Sequence, residues 1–306
     1  MLRLRLARSA GFCFGVRRAI DIAIKAAGGE APVYMLGNIV HNEYVVDQIR
    51  QTGIRVVEDL DAIPPGSTLL MRAHGTTPEI YRKAAERGLR IVDATCPMVL
   101  EIHRIVRKLE EEGYEVVIIG DQNHDEVRGI AAQVSRPLVV SGPADVPGEG
   151  WRSNRLGVVV QSTQNLENVQ AIISRLVPAC RELRFIDTIC KPTTDHQNEI
   201  RRMPLENDAV VVVGSFTSAN TRRLAELSVA ANPRTHHVQT ASELEAAWFE
   251  GIGSVGVTAG ASTPDVLIRD VLDRIRDFRP DTVVDPDERV SPEGAEAEPT
   301  ATGGRP

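Results

Sequence analysis

The cysteines are the residues of this chain whose spacing points most directly to chemistry. Two of them end nearly the same phrase, since "IVDATC" ends at Cys96 and "FIDTIC" ends at Cys190. Cys13, in "LARSAGFC", stands 83 residues before Cys96, and Cys190 stands 94 residues after it. Each follows a short apolar run and precedes an amphipathic stretch, so we expect each at a turn from a strand to a helix. Three thiolates brought together would hold a metal centre with one open position.

The cysteines alone do not choose the metal. Zinc with a bound water and an iron–sulfur cluster with one iron lacking a protein ligand both fit three thiolates. The positive end of each following helix is expected to lower the pKa of its thiol. Three cysteines that only pack in a core are the alternative. Their common turn position and common period argue against that alternative.

Two further families of strand-to-helix turns carry polar side chains at nearly the same period. Successive members of each family are 83 to 100 residues apart. They are His41, His124 and Ser218 in one family, and His74, Ser162 and Ser262 in the other. A period of about ninety residues is too long for a solenoid and indicates repeated domains.

Apolar runs of four to seven residues alternate with amphipathic stretches, which predicts an α/β fold. We expect three similar α/β domains: residues 14–96, 97–189, and 190–284 completed by residues 1–13. Ligand groups gather beyond the carboxyl ends of parallel strands. If the three domains face one another, the nine turns therefore meet at one central site.

The segment after Cys96 shows the helical half of this repeat. Pro97 suits the first turn of a helix, and Gly113 suits its C-terminal cap. The apolar face is expected to consist of Met98, Ile102, Ile105, Val106 and Leu109.

The polar side chains at the turns would form a pocket for a phosphate or diphosphate. Imidazoles, hydroxyls, the amide of Asn220 and helix N-terminal N–H groups all favour an anion. Three glycines at the same turns would let the backbone come close: Gly75, Gly214 and Gly260. Glu126, two residues after His124, is expected to have a raised pKa in such a pocket and to deliver protons. Ser162 could hold a substrate hydroxyl or cap the following helix.

Composition excludes several classes of protein. The chain has 306 residues and a net charge of −7, which argues against a protein that coats nucleic acid. No apolar run is long enough to span a bilayer, and the first residues lack the apolar core of a signal peptide. Four cysteines without a C-x-x-C pair suit neither a disulfide scaffold nor a zinc finger. We expect a soluble, cytoplasmic protein, with a disordered acidic tail over residues 285–306.

Eight motifs in order resemble the IspH (LytB) family, 4-hydroxy-3-methylbut-2-enyl diphosphate reductase. The resemblance runs from about residue 3 to residue 284 and includes all three cysteines. The motifs are "GFCFGVRRAI", "GNIVHNEYVV", "RAHGT", "DATCP", "NHDEVRG", "DTIC", the S-x-N of "GSFTSANTRRLAELS", and "GVTAGASTPD".

The resemblance implies a trefoil-like, pseudo-three-fold arrangement of three α/β domains around one 4Fe–4S cluster. Its three cysteine ligands would be Cys13, Cys96 and Cys190, and one iron would be open. It implies reductive removal of an allylic hydroxyl, giving isopentenyl and dimethylallyl diphosphates, with ferredoxin or flavodoxin as electron donor. Glu126 matches the family's proton donor, and Ser162 falls where a threonine near the substrate hydroxyl is usual. The positions matching the family's diphosphate contacts are His41, His74, His124, Ser218, Asn220 and Ser262.

This sequence departs from the family pattern at a few positions near the site. Ala219 replaces the second serine of Ser-Ser-Asn, and His196 stands where an arginine is common. These departures leave two alternatives open: a paralogue acting on another allylic diphosphate, and a cluster-bearing redox sensor without catalysis. A non-redox enzyme of the quinolinate-synthase kind is disfavoured by "NHDEVRG" and "GVTAGASTPD".

Four other residues are given no functional role. Cys180 lies off the ninety-residue period and is expected to be a packed core thiol. His103 is expected on the side of its helix away from the apolar face, solvated or behind the site. His236 and His237 are expected to precede a helix cap rather than follow a strand, and not to bind a metal.

Overall fold

A computed structural model describes residues 1–29, 31–148 and 150–284 of the chain. The predicted disordered tail, 285–306, lies outside the described residues. The strands are β1 (Leu2–Leu6), β2 (Val33–Leu36), β3 (Arg55–Val57), β4 (Thr68–Met71), β5 (Arg90–Asp93), β6 (Glu115–Ile119), β7 (Leu138–Val140), β8 (Ser153–Val160), β9 (Cys180–Phe185), β10 (Ala209–Val213), β11 (Thr235–Val238), β12 (Ser254–Ala259) and β13 (Thr282–Val284). The helices are α1 (Phe14–Ala27), α2 (Glu43–Gln51), α3 (Pro78–Glu86), α4 (Pro97–Glu111), α5 (Asp125–Ala131), α6 (Leu166–Leu176), α7 (Lys191–Ile200), α8 (Met203–Glu206), α9 (Ala219–Ala231) and α10 (Asp265–Phe278).

The strands form three separate sheets whose neighbouring strands all run parallel. Their orders are β3-β2-β4-β5, β7-β6-β8-β9 and β11-β10-β12-β1-β13. The central strands are runs of β-branched residues such as "AVVVV" in β10, buried at every position. Such runs suit parallel strands, because helices cover both faces of the sheet. The predicted α/β class with three similar units is confirmed.

The third sheet is completed by the start of the chain. Strand β1 lies between β12 and β13 and pairs in parallel with both. The three sheets use strands from residues 33–93, from 115–185, and from 209–284 together with 2–6. These groups accord with the predicted domains, whose limits remain a prediction.

Helix α4 begins at Pro97 as predicted, and Gly113 follows its end with φ of 83°. Its buried side includes Ile102, Val106 and Leu109, but Met98 is 45% exposed, so its place in the apolar face is wrong. Val99 is buried in that first turn instead.

Two expectations about histidines need correction. His103 is 5% exposed and lies on the buried side of α4, so its expected side and the solvated alternative are wrong. The other alternative, a place behind the site, agrees with its ring lying beside the backbones of Gly75 and Gly129. His236 and His237 lie within strand β11, where His236 stacks on Trp248 and His237 Nε2 bonds to the Gly214 carbonyl. Cys180 begins strand β9 and is half-buried against the core of the second sheet.

No helix among the described residues is long and apolar enough to cross a membrane.

Candidate functional site

Nine strands are each followed by a turn that brings one or two of the predicted side chains near the start of the next helix: β1, β2, β4, β5, β6, β8, β9, β10 and β12. They meet at a central cavity of about 100 Å³. All eleven residues predicted for the site line it: Cys13, His41, His74, Cys96, His124, Glu126, Ser162, Cys190, Ser218, Asn220 and Ser262. The sequence period therefore corresponds to a convergence in space.

The three cysteines lie at or just before the first residues of α1, α4 and α7. A Cβ atom at Gly15 would lie 2.6 Å from Sγ of Cys96 and 3.9 Å from Sγ of Cys13. Only glycine therefore lets the first turn of α1 come this close to the second cysteine. The donor set is three thiol sulfurs on converging loops, and it suits a thiolate-held iron–sulfur cluster.

The expected lowering of the thiol pKa is wrong in direction for two of the cysteines. Burial raises the pKa of Cys96 and raises that of Cys190 to about 11. Backbone N–H groups of the helix start oppose this rise at both residues, and the Thr193 hydroxyl also opposes it at Cys190. Desolvation of the thiolate is the larger effect, because the sulfurs are covered by protein. A bound metal would supply the missing positive charge.

Three imidazoles form one cluster on the wall of the cavity. The ring centroids of His41 and His74 are 4.2 Å apart, and those of His41 and His124 are 5.1 Å apart. Burial lowers the pKa of all three, and that of His124 falls to about 4. Nε2 of His41 and Nδ1 of His74 are buried and have no hydrogen-bond partner among the described residues. These nitrogens are available to a ligand.

One ring nitrogen from each of these three histidines lies within 4.8 Å of the other two, a spacing that could also hold a metal ion. The contacts of His124 favour an anion. The backbone N–H of Glu126 donates to Nδ1 of His124 at 3.2 Å, which leaves the proton of the neutral ring on Nε2. This imidazole therefore presents a donor to the cavity, beside the positive end of α5.

Glu126 is the buried acid of the site, with 2% of its surface exposed. Its Oε1 accepts the backbone N–H of Ser162 at 2.7 Å, and its Oε2 accepts the Ser162 hydroxyl at 2.8 Å. Burial raises the pKa of Glu126, and the two hydrogen bonds from Ser162 oppose that rise. The predicted direction is confirmed. Ser162 thus fixes the carboxyl group in the cavity wall.

The third sheet contributes Ser218, Asn220 and Ser262. Ser218 caps α9, and its Oγ accepts the backbone N–H of Thr221 at 3.3 Å. The Ser262 hydroxyl donates to the His41 carbonyl at 3.2 Å and so joins this sheet's loops to the histidine cluster. Close approach of the backbone here depends on glycine, since a Cβ at Gly260 would lie 2.0 Å from Oγ1 of Thr221.

Sequence reasoning missed several contacts that fix the loops. Arg72 pairs with Asp125 at 2.7 Å and links the His74 turn to the start of α5. Glu43 accepts hydrogen bonds from the hydroxyls of Ser215 and Thr217, each at 3.0 Å. Neither link has a local pattern, because its partners lie 53 to 174 residues apart. Only the fold brings them together.

Known proteins resemble this chain over nearly its whole length. A protein-family model described as LytB protein matches residues 4–276. A protein of Pelobacter propionicus named 4-hydroxy-3-methylbut-2-enyl diphosphate reductase is 43% identical over 274 residues, which cover 90% of this chain and 98% of the relative. A protein of the same name from Geobacter sulfurreducens is 41% identical over 277 residues, covering 90% and 98%.

Solved structures agree with this assignment. A structure of (E)-4-hydroxy-3-methyl-but-2-enyl diphosphate reductase, described as the terminal enzyme of the non-mevalonate pathway, has a TM-score of 0.68 and 37% identity, covering 90% of this chain and all of the other. A structure of the E-1-hydroxy-2-methyl-but-2-enyl-4-diphosphate reductase from Plasmodium falciparum has a TM-score of 0.85 and 27% identity, covering 95% and 94%. Motifs, fold and matched length agree, and the chain belongs to the LytB protein family.

Proposed function

We propose that this chain is a 4-hydroxy-3-methylbut-2-enyl diphosphate reductase. The reaction breaks the allylic C–O bond of the substrate, takes up two electrons and two protons, and releases water with isopentenyl or dimethylallyl diphosphate. The observation that carries the proposal is the meeting of three cysteines, a buried acid and an imidazole cluster at one cavity. Relatives about 40% identical over most of the chain bear this name.

The diphosphate is assigned to the side of the cavity formed by His41, His74, His124, Ser218, Asn220 and Ser262. Unpartnered imidazole nitrogens and the starts of α5 and α9 supply donors and positive potential for an anion. Because these histidines are neutral when the site holds no anion, binding of a diphosphate would raise their pKa and draw protons into the site.

Cys13, Cys96 and Cys190 are assigned as ligands of a 4Fe–4S cluster with one open iron. When bound, the cluster supplies electrons and a Lewis-acidic iron. The chain's own part is to place three sulfurs around one cavity, with Gly15 providing the clearance at Cys96. Zinc offers no redox chemistry for a reductase.

Glu126 is assigned as the proton donor. Its raised pKa keeps a larger share of the carboxyl protonated than in water, which suits a general acid. Both oxygens contact Ser162, so the carboxyl group is held at a fixed place and its proton is delivered from there.

Ferredoxin or flavodoxin is the electron donor that we propose. The residues directly after the three cysteines are exposed: Phe14, Pro97 and Lys191. These exposed neighbours of the three cysteines are where we propose that the carrier docks.

The alternatives differ in what they require of the cavity. A paralogue for another allylic diphosphate would keep the donor set and the acid, and the replaced positions Ala219 and His196 favour it. A redox sensor would need the cysteines but not a buried carboxyl group fixed by two hydrogen bonds. Glu126 therefore favours catalysis.

The test is an anaerobic assay on the reconstituted protein. 4-Hydroxy-3-methylbut-2-enyl diphosphate is added with a chemically reduced low-potential dye, and dye oxidation and both diphosphate products are followed. We expect both products, with two electrons consumed for each molecule formed. No product from a protein that carries its cluster would refute the assignment, and turnover of a different allylic diphosphate would identify the paralogue.

A further inference from the structure

His196 is a buried imidazole that none of the roles above uses. It lies on α7 with 2% of its surface exposed. Both of its ring nitrogens have partners. Nε2 bonds to the carbonyl oxygen of Ser9, and Nδ1 lies 3.3 Å from the amide nitrogen Nδ2 of Asn220.

These contacts fix the tautomer of the ring. A carbonyl oxygen only accepts hydrogen bonds, so Nε2 carries the proton. Burial lowers the pKa of His196, so the ring is neutral and Nδ1 is an acceptor. The amide of Asn220 must then present its nitrogen to His196. A turned amide would set its oxygen against Nδ1, and both atoms are acceptors.

Ser9, which accepts the hydrogen bond from His196, is also held in place. Glu199, on the same helix as His196, accepts the backbone N–H groups of Arg8 at 2.9 Å and Ser9 at 2.8 Å. It also accepts the hydroxyl of Ser9. The Ser9 carbonyl is thus held in place, and with it the imidazole that bonds to it.

The oriented amide faces the cavity. Asn220 is 4% exposed and lines the cavity, and its Oδ1 has no partner among the described residues. One N–H of the Asn220 amide donates to Nδ1 of His196, so one N–H and the oxygen Oδ1 remain for a ligand.

We propose that His196 is a positioning residue that sets the orientation of the Asn220 amide toward the substrate diphosphate. This inference rests on the proposed function. It makes the pair His196–Asn220 a determinant of how this chain holds the diphosphate.

Two variants separate positioning from a merely structural link. In His196→Gln, the terminal amide reaches the place of Nε2 and can still donate to Ser9, but no atom accepts from Asn220. In His196→Asn, the side-chain oxygen takes the place of Nδ1 and can still accept from Asn220, while the link to Ser9 is lost.

On the reconstituted protein, we expect His196→Gln to raise the Kd of inorganic diphosphate and the KM for substrate about tenfold, with kcat nearly unchanged. His196→Asn should remain close to the unmodified protein. The reverse order would show that His196 only ties α7 to Ser9 and would overturn the proposal. Adding His196→Gln to Asn220→Ala should have no further effect, and additive losses would count equally against it.

The tautomer can be checked without any substitution, should both variants fail to fold. Nitrogen NMR of the oxidised protein should show His196 protonated at Nε2 and bare at Nδ1, and a proton on Nδ1 would overturn the proposal. Failure of the unmodified protein to turn over substrate would instead refute the proposed function. The two failures are therefore distinguishable.

Discussion

Replacement of Glu126 by glutamine tests the assignment of the proton donor with little change of shape. Glu126→Gln keeps an oxygen for the Ser162 N–H, now at 2.7 Å, and an NH₂ group that can donate to the Ser162 hydroxyl oxygen, now at 2.8 Å. The proton that can be transferred is lost. General acid catalysis contributes about 10²- to 10⁴-fold, so kcat should fall by that factor, or about 3 to 5 kcal/mol of transition-state free energy.

Stability should move in the opposite direction. The folded-state pKa of Glu126 is raised, so the folded protein releases this proton less readily than the unfolded chain. The contribution of this carboxyl group to stability is fully present below its unfolded pKa and is lost as the pH rises through the folded pKa. Glutamine does not ionise, so the variant should be at least as stable at pH 8 as the unmodified protein.

The assay combines anaerobic dye oxidation, product analysis and thermal unfolding at pH 8. The matched control is Asp125→Asn, one residue away in the same helical turn, which removes the charge paired with Arg72 at 2.7 Å. Its kcat should change less than about fivefold. An unchanged kcat in Glu126→Gln, with the cluster retained, would refute the proton-donor assignment. A fall of equal size in both variants would indicate general damage to the loop.

Three further predictions address the rest of the site. Serine in place of Cys13, Cys96 or Cys190 should remove the visible absorbance and the bound iron after reconstitution. Cys180 lies outside the cavity, so the Cys180→Ser variant should keep both. A Cys180→Ser variant without iron would contradict the ligand assignment. Ala219→Ser restores a hydroxyl at the start of α9 and should lower the Kd of inorganic diphosphate up to about tenfold, so weaker or equal binding would argue against a diphosphate contact there. The folded pKa of His124 is about 4, below the ordinary 6.5, so its contribution to stability is present above pH 6.5 and is lost as the pH falls toward 4. Over this range the midpoint temperature of unfolding should decline less in His124→Asn than in the unmodified protein. An equal decline would contradict the assignment of this effect to His124.

Periodicity made the centre of this molecule predictable. The turns that end parallel strands are local in sequence and share one pattern: an apolar run, a polar residue and a helix start. Cys13, Cys96 and Cys190 fit that pattern, and so does Glu126 beside His124. Turns that follow parallel strands lie at the same edge of their sheet, beyond the carboxyl ends of the strands. In the structure these edges of the three sheets meet, and the whole predicted set lines one cavity.

The failures concern residues whose environment is set by distant parts of the chain. The sequence of α4 predicts His103 on the side away from the apolar face, and its burial depends on Gly75 and Gly129 of other loops. The bond between His196 and Ser9 joins residues 187 positions apart, so no local pattern announces it. The thiol pKa values depend on how completely protein covers the sulfurs, which the position at a helix start does not reveal.

The path of the third sheet has a consequence for synthesis on the ribosome. Strand β1 is made before the other strands, yet its neighbours β12 and β13 begin about 250 and about 280 residues later in the chain. The first two sheets can form while translation continues, since all their strands are already made. The loop that carries Cys13 is anchored on its β1 side only after β12 is complete, so the three-cysteine site is assembled after the first two sheets can have formed.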